Sequence, residues 1–171
     1  MKFGHMTGLG GGRIDRIDLN ILAQLQRRGR MTNVDLAAAV GLSPSPCLQR
    51  TRRLEEAGYI TGYSALLDLA KLGDAVVVFT EVTLNDHRRE DFRRFESVLA
   101  KVEEVVECHL VSGGYDYLIK FTTSGVAQYQ AVIEGLLEGP AGIAKYFSYI
   151  VIKTPIARAH LPLRKLFSPE G

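Results

Sequence analysis

The sequence predicts an α+β protein: an N-terminal winged helix-turn-helix followed by a ferredoxin-like sandwich of order β-α-β-β-α-β. Three observations carry this expectation. Two short helical patterns flank the tight break Gly41-Leu42-Ser43, and the second carries Gln49, Arg50, Arg52 and Arg53 before stopping at Gly58. From Val76 onward, apolar runs of strand length alternate with two amphipathic stretches. Charge is also uneven, with 10 Lys/Arg against 6 Asp/Glu in residues 1–72 and 11 against 13 in residues 73–171. The basic half is the one with the helix-turn-helix, as expected of a chain with one nucleic-acid face and one neutral body.

The first helix is expected to start at a cap on Asp15, with Ile14 and Leu19 as a hydrophobic staple. Ile17, Ile21, Leu22 and Leu25 recur at helical spacing, and Arg27-Arg28-Gly29-Arg30 ends the run. Thr32 is placed as the next N-cap, with Asp35 as a variant of the capping box. Gly41 can take the positive φ that closes that helix. Ser43 is expected to cap the third helix and Pro44 to fit its first turn, where an N–H would be unpaired anyway. Cys47, Thr51 and Leu54 fall at i, i+4, i+7 and should face inward; Ser45, Gln49, Arg52 and Arg53 fall on the other side. A helix docked in a major groove by its N-terminal half would bring Ser43, Ser45, Pro46, Leu48 and Gln49 toward base edges. Arg50, Arg52 and Arg53 would reach bases or phosphates.

Tyr59 to Leu67 is rich in β-formers but isolated, and reads as a strand-like hinge. Strands are expected over residues 76–84, 105–111, 117–123 and 143–152, with helices over 88–101 and 128–137. Phe92, Phe95, Leu99 and Val102 stripe the first of these helices; Tyr129, Val132, Ile133 and Leu136 stripe the second. Helices cover one face of such a sheet. The other face also looks apolar, with Val77 and Phe79 opposite Val76, Val78, Val82 and Leu84, and Phe147, Tyr149 and Val151 opposite Ile150 and Ile152. An apolar second face predicts a homodimer, because a monomer would expose a large patch.

The composition sets bounds on function. Of 171 residues, 46% are apolar and 23% charged, ordinary values for a soluble globular protein. No run of 18 apolar residues predicts a membrane span, and MKFGHMTGLGGG lacks the apolar core of a signal peptide and reads as a flexible lead. A cytoplasmic protein with reduced, buried Cys47 and Cys108 is therefore expected. His5, His87, His109 and His160 fall on different elements, and His109 beside Cys108 has no third ligand at metal spacing, so no metal is expected. No Walker loop or dinucleotide fingerprint is present, and neither a catalytic residue nor a cofactor is expected.

Four stretches identify a resemblance: Ile14-Asp15-Arg16-Ile17-Asp18, Val40-Gly41-Leu42-Ser43-Pro44, Arg53-Leu54-Glu55-Glu56-Ala57-Gly58-Tyr59-Ile60, and Glu107-Cys108-His109-Leu110-Val111-Ser112-Gly113-Gly114-Tyr115-Asp116-Tyr117. In this order and spacing they resemble the leucine-responsive/asparagine-responsive (Lrp/AsnC) family from about Ile14 to Ile152. The resemblance implies a helix-turn-helix domain over 13–60, a hinge over 61–74 and an Lrp-type effector-binding and oligomerisation domain over 75–154; the tail over 155–171 outruns the family's minimal domain. It implies a DNA-binding transcriptional regulator, assembled as dimers and octamers, that responds to a small amino acid and controls amino-acid metabolism. It also implies an effector site between dimers at Ser112, Gly113, Gly114, Tyr115, Asp116 and Tyr117. There glycine lets backbone approach the ligand, and aspartate can hold an α-ammonium. The alternative for the same loop is a plain hairpin turn capped by Asp116. Gly114 stands where leucine-responsive members often carry a bulkier acidic residue, which argues against leucine. Tyr146 to Lys153 resembles the family's activators of proline-dehydrogenase genes, so proline or a branched aliphatic is the expected effector. Two other functions fit the same chain: an architectural DNA-compacting protein reading bendability, and an amino-acid sensor acting on a partner protein.

Overall fold

The computed structural model describes residues 14–167, so the flexible lead expected at 1–12 lies outside the described residues. The chain divides into two compact units. One joins the residues up to 66 with those from 156 onward; the other is Leu67–Pro155.

The first unit is built on α1 (Arg16–Arg27), α2 (Asn33–Val40) and α3 (Pro44–Glu56). Asp15 caps α1 in a full capping box: its carboxylate accepts the Asp18 N–H at 2.8 Å, while that of Asp18 accepts the Asp15 N–H at 3.1 Å. Thr32 caps α2 by accepting the Asp35 N–H at 3.1 Å, and its hydroxyl donates to the Asp35 carboxylate at 2.7 Å. Gly41 then turns the chain with φ 72°, and Gly58 does the same after α3 with φ 75°. Ser43 holds the N-cap position of α3, but its side chain makes no capping bond. Asn33 Nδ2 instead donates to the Pro44 carbonyl at 2.8 Å and ties the two helix starts together. Ile21, Leu36, Ala37, Cys47 and Leu54 form the core, with Ile17, Leu22, Leu25, Val40, Leu42 and Ile60 around it.

Tyr59 to Asp68 carries no strand, contrary to the strand-like reading of this segment; within the chain it meets no second strand to pair with. Nor is the C-terminal stretch a free tail. A short helix, α6 (Leu163–Leu166), packs on α1, and the Leu161 N–H donates to Gln26 Oε1 at 2.9 Å. Leu161 and Leu163, with Leu22, Leu25, Tyr59 and Tyr63, help to line a cavity of about 330 Å³. The sequence concealed this because a four-residue helix after Pro162 is too short for apolar spacing to announce.

The second unit runs β1 (Val76–Leu84), α4 (Arg89–Leu99), β2 (Val105–Leu110), β3 (Tyr117–Thr123), α5 (Val126–Glu138) and β4 (Ile143–Ile150). Its four strands are antiparallel in the order β2-β3-β1-β4. The inward face carries Val78, Val82, Leu84, Tyr117, Ile119 and Phe121 against Phe95, Leu99, Tyr129, Ile133 and Leu136. Thr80 is buried among them because its hydroxyl shares a 2.8 Å hydrogen bond with the Tyr129 hydroxyl. Register places Phe79 beside Tyr149 and Glu81 beside Phe147 on the opposite face. Its apolar residues lie along β1 and β4, interrupted by Glu81. Toward β2 it carries Glu107, bridged to Lys120 at 2.8 Å, and His109. Lys120 and His109 hold the Glu107 carboxyl below the usual range.

Candidate DNA interface and effector loop

On α3, helical spacing separates what packs from what is presented. Cys47 and Leu54 are fully buried, while Ser43, Ser45, Leu48, Gln49 and Arg52 are exposed and Pro46 is half-buried. Ser45, Gln49 and Arg52 fall at i, i+4, i+7 and line one stripe. Leu48 lies beside that stripe with an exposure of 39%. An exposed helix face bearing a hydroxyl, an amide and a guanidinium can donate to and accept from base edges and phosphates.

Two arginines expected at DNA are also engaged by carboxylates of α1. Arg50 Nη1 lies 2.6 Å from Asp15 Oδ2 and 2.9 Å from Asp18 Oδ1, and Arg53 Nη2 pairs with Asp18 Oδ2. The Asp18 side chain is 0% exposed. Such a carboxylate, taken from water, must be matched by charge and hydrogen bonds, and the two guanidiniums supply both. Burial works against the charge on Asp15, but the Asp18 N–H and Arg50 outweigh it and hold its carboxyl below the usual range. The same contacts raise Arg50 further above its already high value. The acidic pair 15/18 and the arginine pair 50/53, each one helical turn apart, were the available signal. Spacing along one helix does not say which neighbouring helix answers it.

The loop between β2 and β3 brings together most of the residues expected at an effector. Ser112, Gly113 and Gly114 are exposed and Tyr115 and Asp116 half-buried. Neither Gly113 nor Gly114 needs a positive φ, and a Cβ at either would meet open space, so neither glycine is imposed by the fold. The loop is tied down at Asp116, whose N–H donates to the Val82 carbonyl and whose carbonyl accepts the Val111 N–H, both at 2.9 Å. Asp116 Oδ2 accepts the Leu84 N–H at 2.8 Å, and His87 Nε2 stands 3.1 and 3.0 Å from the two carboxylate oxygens. His87, which the sequence left scattered among unrelated histidines, thus belongs with this loop.

Tyr117 departs from the expectation. Its ring is 1% exposed in the core, 4.6 Å from Phe95 between centroids, and its hydroxyl donates to Glu96 Oε1 at 2.8 Å. Burial and Glu96 push that phenol well above its ordinary value. As the first residue of an alternating strand it is turned inward, so it anchors the loop rather than lining it. Cys108, expected to be buried, is exposed; partial desolvation and Glu96 still push its thiol up to about 11, so it is a poor nucleophile at neutral pH. Cys47 is buried as expected. Among the described residues no helix is long and apolar enough to cross a membrane.

A helix-turn-helix with an exposed polar recognition stripe, on the same chain as a βαββαβ domain with an accessible loop, defines a DNA-binding regulator that also carries a ligand-binding module. Comparison with known proteins agrees at each level. Residues 14–61 match the winged helix-turn-helix DNA-binding family, and residues 77–161 match the Lrp/AsnC ligand binding domain. The chain is 46% identical over 144 residues to the leucine-responsive regulatory proteins of Klebsiella pneumoniae and Escherichia coli K12, covering 84% of this chain and 87% of theirs. Among solved structures, a Neisseria meningitidis transcriptional regulator in complex with L-Met superposes with a TM-score of 0.83 at 32% identity, covering 91% of this chain and all of that one. An AsnC family regulator from Agrobacterium tumefaciens gives 0.83 at 33% identity, covering 90% of this chain and all of that one. The chain belongs to the Lrp/AsnC family of DNA-binding transcriptional regulators.

Proposed function

We propose that this regulator is a cytoplasmic homo-oligomer that reads DNA with Ser45, Pro46, Leu48, Gln49 and Arg52 of α3, beginning at Ser43, and is modulated by a small amino acid at the Ser112–Asp116 loop. The observation that carries the effector reading is a complex of L-Met with a structural neighbour of the same fold. The loop suits the backbone of an amino acid. Among the described residues no hydrogen bond engages the Gly113 or Gly114 N–H, so both can receive a carboxylate. Asp116 Oδ1 has His87 as its neighbour and can take an ammonium in place of the imidazole. Absence of bulk at 113 and 114 leaves room for proline or a branched aliphatic side chain.

Assembly follows from two features. Val77, Phe79, Phe147 and Tyr149 make an apolar strip on the face of the sheet away from the helices, with Phe147 and Tyr149 about half exposed. Covering that strip with a second copy removes it from water and yields a dimer, from which an octamer can be built. α3 also presents Arg52 as its cation outside the Asp15/Asp18 network, so one copy neutralises few phosphates and several must act together.

The test is calorimetry with proline, leucine, isoleucine, valine and methionine in turn, on the wild type and on Asp116→Asn. Asparagine keeps an oxygen for the Leu84 N–H and loses the charge. Binding of one of these amino acids that Asp116→Asn abolishes, with a change in DNA affinity, is the expected result. Binding unaffected by Asp116→Asn would remove this loop from the site. A periodic, sequence-indifferent footprint with no effector dependence would replace this reading with DNA compaction.

A further inference from the structure

We infer that Asp15 and Asp18 of α1 are specificity-determining positioning residues for DNA recognition, acting on α3 through Arg50 and Arg53, and that these two arginines are not phosphate contacts. The geometry is a closed network. Asp15 Oδ1 accepts the Asp18 N–H at 2.8 Å and Asp15 Oδ2 accepts Arg50 at 2.6 Å. Asp18 Oδ1 accepts Arg50 at 2.9 Å, and Asp18 Oδ2 accepts both Arg53 and the Asp15 N–H. All four carboxylate oxygens are engaged, and the two charges of each sign cancel.

The network sets the rotation of α3 about its own axis. Each residue turns a helix by about 100°. Arg50 and Arg53 lie one turn apart and are pinned to Asp15 and Asp18, which also lie one turn apart. Gln49 and Arg52 each precede a pinned arginine, so their direction follows from the pins. Cys47 and Leu54, the buried residues of α3, are small or flexible contacts that allow some roll. A guanidinium nitrogen held between two carboxylates at 2.6 and 2.9 Å allows less. Withdrawing Arg50 or Arg53 to a phosphate would leave the 0% exposed Asp18 carboxylate without its match, which opposes such a move.

Two accounts of these arginines predict opposite signs. If they contact phosphates and the aspartates only restrain them, Asp18→Asn frees positive charge; DNA binding tightens on every sequence and its salt dependence steepens by about 0.9 per freed arginine. If they position α3, Asp18→Asn loosens the stripe. Affinity for a preferred duplex then falls while affinity for a shuffled duplex holds. The probe is a duplex enriched by the wild-type full-length protein from a random-sequence pool, with its shuffled counterpart as reference, titrated across salt concentrations. Expected for Asp18→Asn is a loss of about tenfold or more on the enriched duplex, about twofold or less on the shuffled one, and no steeper salt slope.

Arg50→Lys is the second variant, chosen because it keeps the charge and places little demand on the fold. A lysine can still neutralise a phosphate, but its stem is shorter and lacks the rigid guanidinium plane that holds one nitrogen, Nη1, against both carboxylates. Selective loss on the enriched duplex in Arg50→Lys supports positioning even if Asp18→Asn proves too unstable to assay. Wild-type discrimination in Arg50→Lys, or tighter and more salt-dependent binding in Asp18→Asn, overturns the inference.

Discussion

Replacing Ile21 by alanine tests whether the two units hold themselves together separately. Ile21 is 0% exposed and sits in a core with Leu36, Ala37, Cys47 and Leu54, none of which belongs to the core of the sheet unit. Losing three carbons at about 0.8 kcal/mol each removes roughly 2.4 kcal/mol of transfer free energy. The cavity left behind raises the total to about 3–4 kcal/mol. A unit of about 65 residues has on the order of 3–10 kcal/mol in all. The substitution therefore removes a third or more of the stability of the helical unit. Hydrogen exchange read by mass spectrometry is the assay. Protection of peptides from α1, α2 and α3 should fall on the order of a hundredfold, while peptides from β1, β3 and β4 keep theirs. Ile21→Val should show the same pattern at about 1 kcal/mol. Equal losses in both units would refute the independence of the cores. A loss under about 1 kcal/mol for alanine would refute the packing argument.

Arg52→Ala should reduce the slope of log affinity against log salt by about 0.9, on preferred and shuffled DNA alike, as read by anisotropy titrations. Because the folded Asp15 carboxyl titrates below its usual value, its contribution to stability is complete above the ordinary carboxylate range near pH 4 and is lost as pH falls through the lowered value. Thermal unfolding of the helical unit followed against pH should show this loss, and Asp15→Asn should flatten it. Phe147→Lys, on the apolar strip paired with Glu81, should shift sedimentation toward smaller species while leaving the sheet unit folded by circular dichroism. An unchanged sedimentation profile would remove Phe147 from the subunit contact.

Much of the fold was legible because its signals are local. Val76–Leu84 and Tyr117–Thr123 were bounded to the residue by apolar, β-forming runs ending at turns, and Gly41 announced its positive φ by having no side chain. α5 starts two residues before the expected 128, at Val126 after the Gly125 N-cap, because a first turn need not face the core. What escaped depends on partners distant in sequence. Tyr117 was expected both to open a strand and to belong to the effector site, and the sequence alone does not say that the strand's first residue turns into the core. The pairing of Arg50 and Arg53 with Asp15 and Asp18 escaped because helical spacing shows which residues share a side, not what stands opposite them. His87 and Asp116, 29 residues apart, meet only once β1 and β3 are paired.

The return of residues 156–167 to the helical unit has a consequence for how this protein can be cut and recombined. In topological terms the sheet unit is an insertion, entered at Leu67 and left at Pro155, within a host whose wall is finished by Leu161 and Leu163. An excised segment ending at residue 66 lacks that wall and the backbone donor on Gln26 Oε1. A chimaera that grafts this recognition helix onto another regulator must therefore transplant two separated stretches of sequence, whereas the sheet unit can be exchanged as a single contiguous piece.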